Sequence, residues 1–378
     1  MRRARRHAFR VALAAFALAA GCARSGSPPE PCNPNPPRGE IGTICGFARP
    51  EDVEAVPLAG IVLVSQLHSF VGDEPGSIAA VDIASAASGE PRVRRLWPTG
   101  DATRDVGVDA DRPPVGDPGC TEPPPADRFA PHGIHASPTD TPGIIRVAVV
   151  AHGFREAVEL FHLIGTGDAA RLVWRGCAPF APRVSGNDVT IARDGSLIAS
   201  NYQPTMGGAG GLYWMIVGGL GFDTGDVLSW GGGEGWRSIP GTAAANPNGV
   251  AVSPDGSTVF YVETGGGRID RVPRAGIPGG KPDRAHLPGA PDNVSWSSRG
   301  TLLVASHASA GAFLRCAFSG PPCHAPWLLL EVDPATLVAK PLLESDGRAV
   351  GAVASATEVE GRYYFGAVFG DRIGVWQP

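Results

Sequence analysis

The sequence predicts an all-β protein, and more specifically a six-bladed β-propeller. Short runs rich in β-branched and aromatic residues recur along the chain, bounded by Gly, Pro, Asp or Asn, as is typical of strands. Helical periodicity is nearly absent. Strand pairs separated by tight turns recur in units of about 40 to 60 residues, which is the size of a propeller blade.

The clearest strand signals fall at regular places along these units. They span residues 61–65, 77–83, 144–150, 158–163, 189–192, 197–201, 250–252, 258–263, 294–296, 302–306, 327–332, 363–368 and 373–376. The polar, proline-rich segment 99–128 is predicted to be a loop inserted between units. The glycine-rich segments 207–219 and 231–235 are also predicted to be loops.

Composition restricts the class of protein. The chain has 378 residues, of which 52 are Gly, 37 are Pro and 43% are hydrophobic, so it is a turn-rich globular protein rather than a disordered one. Its formal net charge is −5 and no basic face stands out, which argues against a nucleic-acid partner.

The first 21 residues have the features of a bacterial secretion signal. Several arginines precede a short apolar stretch at 11–20, which is too short to span a bilayer. The segment from Leu18 to Cys22 closely resembles a lipobox, which would place a lipidated Cys22 at the mature N-terminus; the alternative is an ordinary signal peptide with an incidental cysteine. Ala23 then favours sorting to the outer membrane, facing the periplasm, and residues 22–44 are expected to form an extended tether.

Apart from Cys22, six cysteines remain, an even number that suits an oxidising compartment. Cys316 and Cys323 flank a Gly-Pro-Pro turn and are expected to pair. The other four admit more than one connectivity. Our expectation for them is Cys32 with Cys45 and Cys120 with Cys177.

Three nine-residue segments repeat one pattern in the same register. They read NDVTIARDG from 187, NGVAVSPDG from 248 and DNVSWSSRG from 292, and each ends at a turn glycine. Two further units begin in a similar way, at Glu51-Asp52-Val53 and at His132-Gly133-Ile134. Equal register in a repeat means equal placement, so around an axis the first residues of these segments converge.

The converging set contains four carboxylates and three amides: Glu51, Asp52, Asp188, Asp292, Asn187, Asn248 and Asn293. Buried together without a cation, the carboxylates would repel each other strongly. Oxygen ligands of this kind favour Ca²⁺ over zinc. The alternative is that each Asn or Asp merely caps a turn.

Taken in order, several motifs resemble the paraoxonase family of calcium-dependent lactonases and arylesterases, within the wider gluconolactonase-like superfamily of propellers. They are PEDVEAVP from 50, APHGI from 130, VVAHGFREAVELF from 149, GNDV from 186, NGVAVSPDG from 248, PDNV from 291, VASH from 304 and the closing strands at 354–369. The similarity covers nearly all of the chain after residue 45, which is the predicted propeller domain, 45–378.

The resemblance implies two calcium ions and a histidine pair. The ligands of the catalytic ion would be Glu51, Asn187, Asn248, Asp292 and Asn293, and those of a structural ion Asp52, Asp188 and the carbonyl of Ile134. Neighbouring residues on a strand point to opposite sides, so adjacent ligands can serve two ions. His132 and His152 match the family's catalytic dyad, with His132 taking a proton from water, and His307 matches a pocket-wall histidine.

The chain also departs from the family. The terminal cysteine is missing, which is why Cys45 is expected to pair with Cys32. The family's Asn-Asp-His-Tyr run reads Asn201-Tyr202-Gln203-Pro204, and the loop from His68 to Asp73 replaces an aromatic lid. The match of the metal ligands therefore does not imply that this protein shares the family's substrate preference.

The sequence thus predicts a monomeric, membrane-anchored hydrolase of the bacterial envelope that acts on a small lactone or aryl ester with Ca²⁺. Ca²⁺ with Glu51 as proton acceptor is an alternative to the histidine base. A sugar-acid lactonase of the gluconolactonase type is an alternative enzyme, although it is not built on this dyad. A non-catalytic binding propeller anchored to the outer membrane is the alternative from another class.

Overall fold

The protein is a ring of six four-stranded antiparallel sheets, so the predicted all-β, six-bladed propeller is confirmed. The computed structural model describes residues 31–67, 75–99, 115–232, 235–319 and 323–378. The predicted signal segment 1–21, Cys22 and the loop residue His68 lie outside the described residues.

In the first three blades, consecutive strands pair in chain order from the axis outwards. Blade 1 consists of β2 (Pro50–Val56), β3 (Ile61–Gln66), β4 (Ser77–Asp82) and β5 (Val93–Trp97). Blade 2 consists of β6 (Phe129–Pro138), β7 (Ile144–Gly153), β8 (Ala157–Ile164) and β9 (Arg171–Pro179). Blade 3 consists of β10 (Ser185–Ile191), β11 (Leu197–Gln203), β12 (Asp226–Trp230) and β13 (Trp236–Ser238).

The last three blades repeat this order, except that the N-terminal strand completes blade 6. Blade 4 consists of β14 (Pro247–Val252), β15 (Thr258–Glu263), β16 (Arg268–Pro273) and β17 (Asp283–His286). Blade 5 consists of β18 (Ala290–Trp296), β19 (Leu302–His307), β20 (Trp327–Val332) and β21 (Ala339–Ser345). Blade 6 consists of β22 (Val353–Val359), β23 (Arg362–Ala367), β24 (Arg372–Trp376) and β1 (Ile41–Cys45).

The strand β1 closes the ring by pairing antiparallel with β24, from Ile41 opposite Trp376 to Cys45 opposite Arg372. Residues 41–44, which the sequence assigned to the tether of 22–44, are therefore part of the propeller. Two hydrogen bonds also attach the chain just before β1, because Thr43 donates its amide to the carbonyl of Asn33 and its hydroxyl accepts from the amide of Asn33.

Hydrophobic side chains fill the wedges between neighbouring blades. Between blades 1 and 2, for example, Trp97 and Phe161 meet edge to face with ring centroids 5.2 Å apart, and both are fully buried. Every predicted strand run falls on an observed strand, since the alternation of apolar residues reports which positions face these wedges. The outer strands β5, β13, β17 and β21 gave no comparable signal, because more of their side chains reach solvent. The sequence also gave no predicted run for β9, β12 and β16, although half or more of the residues in each are buried.

Helices are short and lie in the connections. They are α1 (Ile83–Ser88), α2 (Gly208–Gly219) and α3 (Ala310–Ser319), with single 3₁₀ turns at Pro57–Ala59, Ala126–Arg128 and Gly167–Ala169. The prediction of a loop at 207–219 is wrong, because α2 occupies most of that segment. The segment is rich in glycine and the helix has no polar face, so its sequence shows no helical pattern. None of the helices in the described ranges is both long and apolar enough to cross a membrane.

All three expected disulfides are present: Cys32–Cys45, Cys120–Cys177 and Cys316–Cys323. The first ties the segment before β1 to the end of that strand. The second attaches the inserted segment to β9, beside which Val115 and Asp117 donate backbone hydrogen bonds to the carbonyls of Arg175 and Cys177. The described part of the predicted insert is therefore packed on blade 2.

Every inner strand has an irregularity near its axial start. The pairing register shifts between residues 50 and 52, 131 and 134, 186 and 189, 247 and 250, 291 and 294, and 353 and 355. These intervals contain the predicted site residues Glu51, His132, Asn187, Asp188, Asn248, Asp292 and Asn293. A β-bulge redirects side chains, so the regular alternation expected from the sequence is interrupted where these residues lie.

Two glycines let the bulged strands approach each other at the axis. A Cβ on Gly133 would lie 2.5 Å from the Cα of Asp188, and one on Gly249 would lie 2.5 Å from the Cα of Asn293. Because the obstructing atoms are backbone, a side chain at either position forces adjacent blades apart.

We expect Gly249→Ala to lower the free energy of unfolding by about 1–3 kcal/mol, the usual cost of overpacking a close contact. Denaturant unfolding measures this. The matched control is Gly219→Ala, where an added Cβ meets nothing within 4 Å. Equal stability of the two variants would contradict the close approach of β14 and β18.

Candidate functional site

The axial ends of the inner strands bring the predicted site residues together. Glu51 comes from β2, His132 from β6, Asn187 from β10, and Asn248 from β14. Asp292 and Asn293 both come from β18. All six side chains are buried, with at most 7% of each residue exposed. The convergence inferred from the repeat register is thus present in the structure.

Hydrogen bonds between these side chains orient the amides. Asn293 donates its Nδ2 to Oε1 of Glu51 at 2.9 Å, and Asn248 donates its Nδ2 to Oδ1 of Asp292 at 2.6 Å. An ionised carboxylate can only accept. The amide nitrogens must therefore face the carboxylates, which leaves the amide oxygens directed elsewhere.

Four buried oxygens of this cluster have no hydrogen-bond partner among the residues that the structure describes. They are Oε2 of Glu51 and the Oδ1 atoms of Asn187, Asn248 and Asn293. Leaving a buried acceptor unpaired costs about 1–3 kcal/mol each. Carboxylate and amide oxygens are also the ligand types that Ca²⁺ uses, so the residues present fit that ion.

No group of three or more His, Cys, Asp or Glu side chains placed to hold a metal ion occurs in the part of the chain that the structure describes. Three of the four unpaired oxygens here belong to amides, which lie outside those residue types. The candidate site therefore rests on the unpaired oxygens and their common location, and not on a cluster of acidic and histidine ligands.

Asp52 and Asp188 are arranged differently. Asp52 accepts hydrogen bonds from the amides of Val53 and Ile134, both at 2.8 Å. Asp188 accepts from the amides of Val189 at 2.7 Å and Val250 at 2.8 Å. Each carboxylate thus clamps the next blade by a backbone amide, and no unpaired oxygen in the described ranges marks the predicted second ion site. Ile134 contacts Asp52 through its amide, whereas the resemblance implied its carbonyl as a ligand.

Burial dominates the electrostatics of the cluster. Burial first, and then the neighbouring carboxylates of Asp52 and Asp292, hold the pKa of Glu51 well above its ordinary value. Burial raises the pKa of Asp52 to about 7, against the lowering effect of its backbone hydrogen bonds. Burial and the charge of Asp52 also raise the pKa of Asp188. A cation at the axis would relieve all three shifts.

The two predicted catalytic histidines are in contact, and a third residue extends the pair. Nδ1 of His132 lies 3.2 Å from Nε2 of His152, and Nδ1 of His152 lies 2.9 and 3.0 Å from the two carboxylate oxygens of Glu156. Burial and the neighbouring His152 hold the pKa of His132 well below its ordinary value. Sequence reasoning missed Glu156, because it lies outside the repeated pattern in the tight turn between β7 and β8.

His307 lies on the opposite side of the cluster, against Asp292. Its Nε2 is 2.7 Å from Oδ2 of Asp292, and the centroid of its ring is 4.4 Å from that of Phe313 in α3. Its buried Nδ1 has no hydrogen-bond partner in the described part of the chain. Asp292 is therefore held by both Asn248 and His307. The predicted pocket-wall histidine thus supports a candidate metal ligand directly.

Tyr202 and Gln203, which depart from the motif that the sequence otherwise resembles, are both buried. Gln203 donates its Nε2 to the carbonyls of Thr205 at 2.7 Å and Gly211 at 3.3 Å, which holds the start of α2. Burial, and then the charge of Asp292, raise the pKa of the Tyr202 phenol. These two residues therefore support the wall of the site, whereas the lid segment after Leu67 lies outside the described residues.

A cavity of about 180 Å³ lies on the same axis beyond Asp52 and Asp188. Glu54 and His135 line it. Burial raises the pKa of Glu54 to about 8 and lowers that of His135 to about 4. Asp52, Asp188 and Asn293 also line it, so this cavity adjoins the cluster of unpaired oxygens.

No protein-family model matches the chain, and no curated protein matches it. Solved structures do share its fold. A luciferin-regenerating enzyme has a TM-score of 0.50 at 11% identity, over 90% of this chain and 95% of that one. At that identity the likeness shows a common fold alone.

Two further solved structures are similar at lower scores. A gluconolactonase from Xanthomonas campestris has a TM-score of 0.47 at 17% identity, covering 93% of this chain and 98% of that one. The calcium-binding protein regucalcin from Agrobacterium tumefaciens has a TM-score of 0.46 at 13% identity, covering 88% and 90%. These likenesses are to the gluconolactonase and regucalcin propellers. The comparisons do not show that this chain belongs to the paraoxonase family.

The raised pKa of Asp52 gives a measurable dependence of stability on pH. Between its ordinary value of 3.8 and about 7, the folded protein holds a proton that the unfolded chain has released. The Asp52 contribution to the free energy of unfolding therefore falls as pH rises through this interval. His132 and His135, whose pKa values burial lowers, contribute the opposite slope below about pH 6.5.

We therefore expect Asp52→Asn to gain stability relative to the wild type as pH rises from 5 to 7 in the presence of EDTA. Urea unfolding at several pH values measures the difference, in which the histidine contributions cancel. Saturating Ca²⁺ should reduce it if the cation neutralises the cluster. A constant difference across pH 5–7 in EDTA would contradict a raised pKa for Asp52.

Proposed function

We propose that this protein is a calcium-dependent hydrolase of lactones and aryl esters. The observation that carries the proposal is the set of four unpaired, buried oxygens at the axis, contributed by four different inner strands. They belong to four of the five residues expected from the sequence to bind a catalytic calcium. The structural likenesses contribute only the propeller fold.

The first ion would be held by Glu51, Asn187, Asn248, Asp292 and Asn293. When bound, Ca²⁺ would polarise the carbonyl of the substrate and stabilise negative charge on its oxygen. Three of these residues are neutral amides, so they would leave the ion more electrophilic than carboxylates alone. A second ion at Asp52, Asp188 and the carbonyl of Ile134 rests on the sequence resemblance, because no unpaired oxygen marks that position.

His132 is suited to take a proton from water. Its lowered pKa keeps the ring neutral at physiological pH, so one ring nitrogen is unprotonated and able to accept. Nε2 faces the cluster, 3.7 Å from Oε1 of Glu51 and 3.5 Å from Nδ2 of Asn187. His152 holds the other nitrogen. A water bound near Nε2 would give its proton to that atom as it attacks the carbonyl.

Two other functions remain as alternatives, and a substrate panel separates them. A sugar-acid lactonase of the gluconolactonase type would hydrolyse gluconolactone in preference to alkyl lactones or aryl esters. A binding propeller would bind Ca²⁺ and hydrolyse none of them. The partly buried His132–His152 contact favours the first proposal, because a binding module has no need of a poised base.

The metal and the base can be separated by substitution. We expect Asn248→Ala and Asp292→Ala to abolish both turnover and the Ca²⁺-dependent rise in melting temperature, because each removes a proposed ligand. We expect His132→Gln to keep that rise but to lower kcat by about 10²-fold or more, the usual loss for a general base. Calorimetry with Ca²⁺ or EDTA and assays on lactones and aryl esters provide the two measurements.

The calcium site and the histidine base can each be contradicted by a separate result. A melting temperature of the wild type that is indifferent to both EDTA and Ca²⁺ would contradict the calcium site. Full activity of His132→Gln on every substrate of the wild type would indicate that the base is Glu51 or another carboxylate beside the ion.

We also propose that the protein is a lipoprotein of the bacterial envelope, attached by lipidated Cys22 to the outer membrane and facing the periplasm. The support is the lipobox-like sequence up to Cys22 and the three disulfides of the described chain, which suit an oxidising compartment.

Lipid attachment predicts a specific fractionation result. We expect Cys22→Ser to shift the protein from the membrane fraction to the soluble fraction or to leave an unprocessed precursor, because multiple acyl chains supply the stable membrane attachment. Immunoblotting of the fractions measures this, with Ala23→Ser as a control that keeps the cysteine. Identical fractionation of Cys22→Ser and the wild type would show that the lipobox prediction is wrong.

A further inference from the structure

Glu156 ends a chain of hydrogen bonds that begins at the candidate metal ligands. The chain runs from Asn187 through His132 and His152 to Glu156, over N–N distances of 3.5 and 3.2 Å and N–O distances of 2.9 and 3.0 Å. The proposed reaction uses only the two histidines. Glu156 is thus a polar group in contact with the site that has no role so far.

Both ends of this chain fix the direction in which its protons point. The carboxylate of Glu156 only accepts, so Nδ1 of His152 must carry a proton and, in the neutral ring, its Nε2 must accept. Nδ1 of His132 is then the donor to that nitrogen. This leaves Nε2 of His132 unprotonated. The unprotonated nitrogen matches Nδ2 of Asn187, an atom that can only donate.

Glu51 favours the opposite arrangement. Its Oε1 lies 3.7 Å from Nε2 of His132 and would attract a proton to that atom. If Nε2 carried the proton, His132 would have no lone pair facing the cluster and would not act as a base there. The contacts of Glu156 with His152 are shorter by about 0.8 Å, within normal hydrogen-bond range, whereas 3.7 Å is beyond it.

The surroundings of Glu156 leave its charge available to His152. The adjacent cation Arg155 is engaged by Glu159, with both carboxylate oxygens at 2.7 and 2.9 Å, and by the carbonyl of Glu122. The backbone of Glu156 is fixed as well, because its carbonyl accepts from the amide of Phe180 at 2.9 Å. The turn therefore presents the carboxylate to His152 in a defined position.

We propose that Glu156 is a positioning residue that selects the tautomers of both histidines: Nδ1 is protonated in each, and Nε2 of His132 is unprotonated and so able to accept a proton. The tautomers follow from the hydrogen bonds between neutral rings and an ionised Glu156. Their consequence for catalysis rests on the proposed hydrolase function. The two parts are tested by different measurements, so that failure of one does not obscure the other.

The tautomers are measured directly by NMR of the unliganded protein carrying ¹⁵N-labelled histidine. Protonated and unprotonated ring nitrogens have well-separated ¹⁵N shifts, and His132→Gln and His152→Gln assign the signals. In the wild type we expect both rings to be protonated at Nδ1. In Glu156→Ala we expect neither His152 nor His132 to be protonated at Nδ1 alone, because the carboxylate of Glu156, which can only accept, is gone. Glu156→Gln, whose amide can donate as well as accept, should give mixed tautomers without a change in side-chain shape.

Kinetics test the consequence. We expect Glu156→Ala to lower kcat by about 10- to 100-fold, the usual effect of removing a group that orients a functional histidine, with little change in KM. The side chain of Glu156 is 37% exposed, so a small carboxylate from solvent can reach the vacated position. Added acetate should therefore restore part of kcat in Glu156→Ala but not in His152→Ala. The control is Glu122→Ala, an exposed acid on the adjacent loop, which should match the wild type.

Three results decide the proposal. Wild-type rings protonated at Nε2, or ring shifts unchanged in both Glu156 variants, would overturn it. The expected tautomers together with unaltered kcat in Glu156→Ala would overturn the positioning role in catalysis. The expected tautomers in a protein that hydrolyses no lactone or ester would support the selection by Glu156 and overturn the proposed hydrolase function.

Discussion

The central constraint on this molecule is the cost of burying polar side chains where six inner strands meet. Glu51, Asp52, Asp188 and Asp292 are all nearly inaccessible to water at the axis. A buried carboxylate is expensive unless it is protonated, hydrogen-bonded or paired with a cation. The structure uses hydrogen bonds for Asp52 and Asp188, which accept backbone amides from neighbouring blades. It leaves Glu51 and three amides with oxygens that have no partner among the described residues, and a bound cation or ordered water would pair them.

The backbone is adapted to this constraint. All six inner strands lose regular pairing at their axial starts, where bulges turn the polar side chains inwards. Gly133 and Gly249 permit the adjacent strand to approach within a distance that a Cβ would block. The two glycines therefore allow adjacent inner strands to approach closely, and this close approach allows their polar side chains to form one cluster.

How much the sequence could predict depended on whether a feature repeats. The nine-residue pattern beginning at 187, 248 and 292 predicted both the convergence and the residues that converge, because equal register means equal placement. Non-repeating features were not accessible in this way. Glu156 lies in a single turn, and its role depends on a distance to His152 that no periodic pattern encodes. The helix α2 was missed because its glycines and lack of a polar face resemble a loop.

The candidate ligands are oriented from outside by a second set of contacts. Thr264 accepts from Nδ2 of Asn248 at 3.1 Å and donates to the carbonyl of Pro291, which links β14 to β18. His307 holds Asp292 from the side of α3, at a nitrogen–oxygen distance of 2.7 Å. Because these partners fix the planes of the Asn248 amide and the Asp292 carboxylate, the orientation of both groups is set in the absence of a ligand. Polar groups held in this way need little reorganisation when charge is bound or develops beside them.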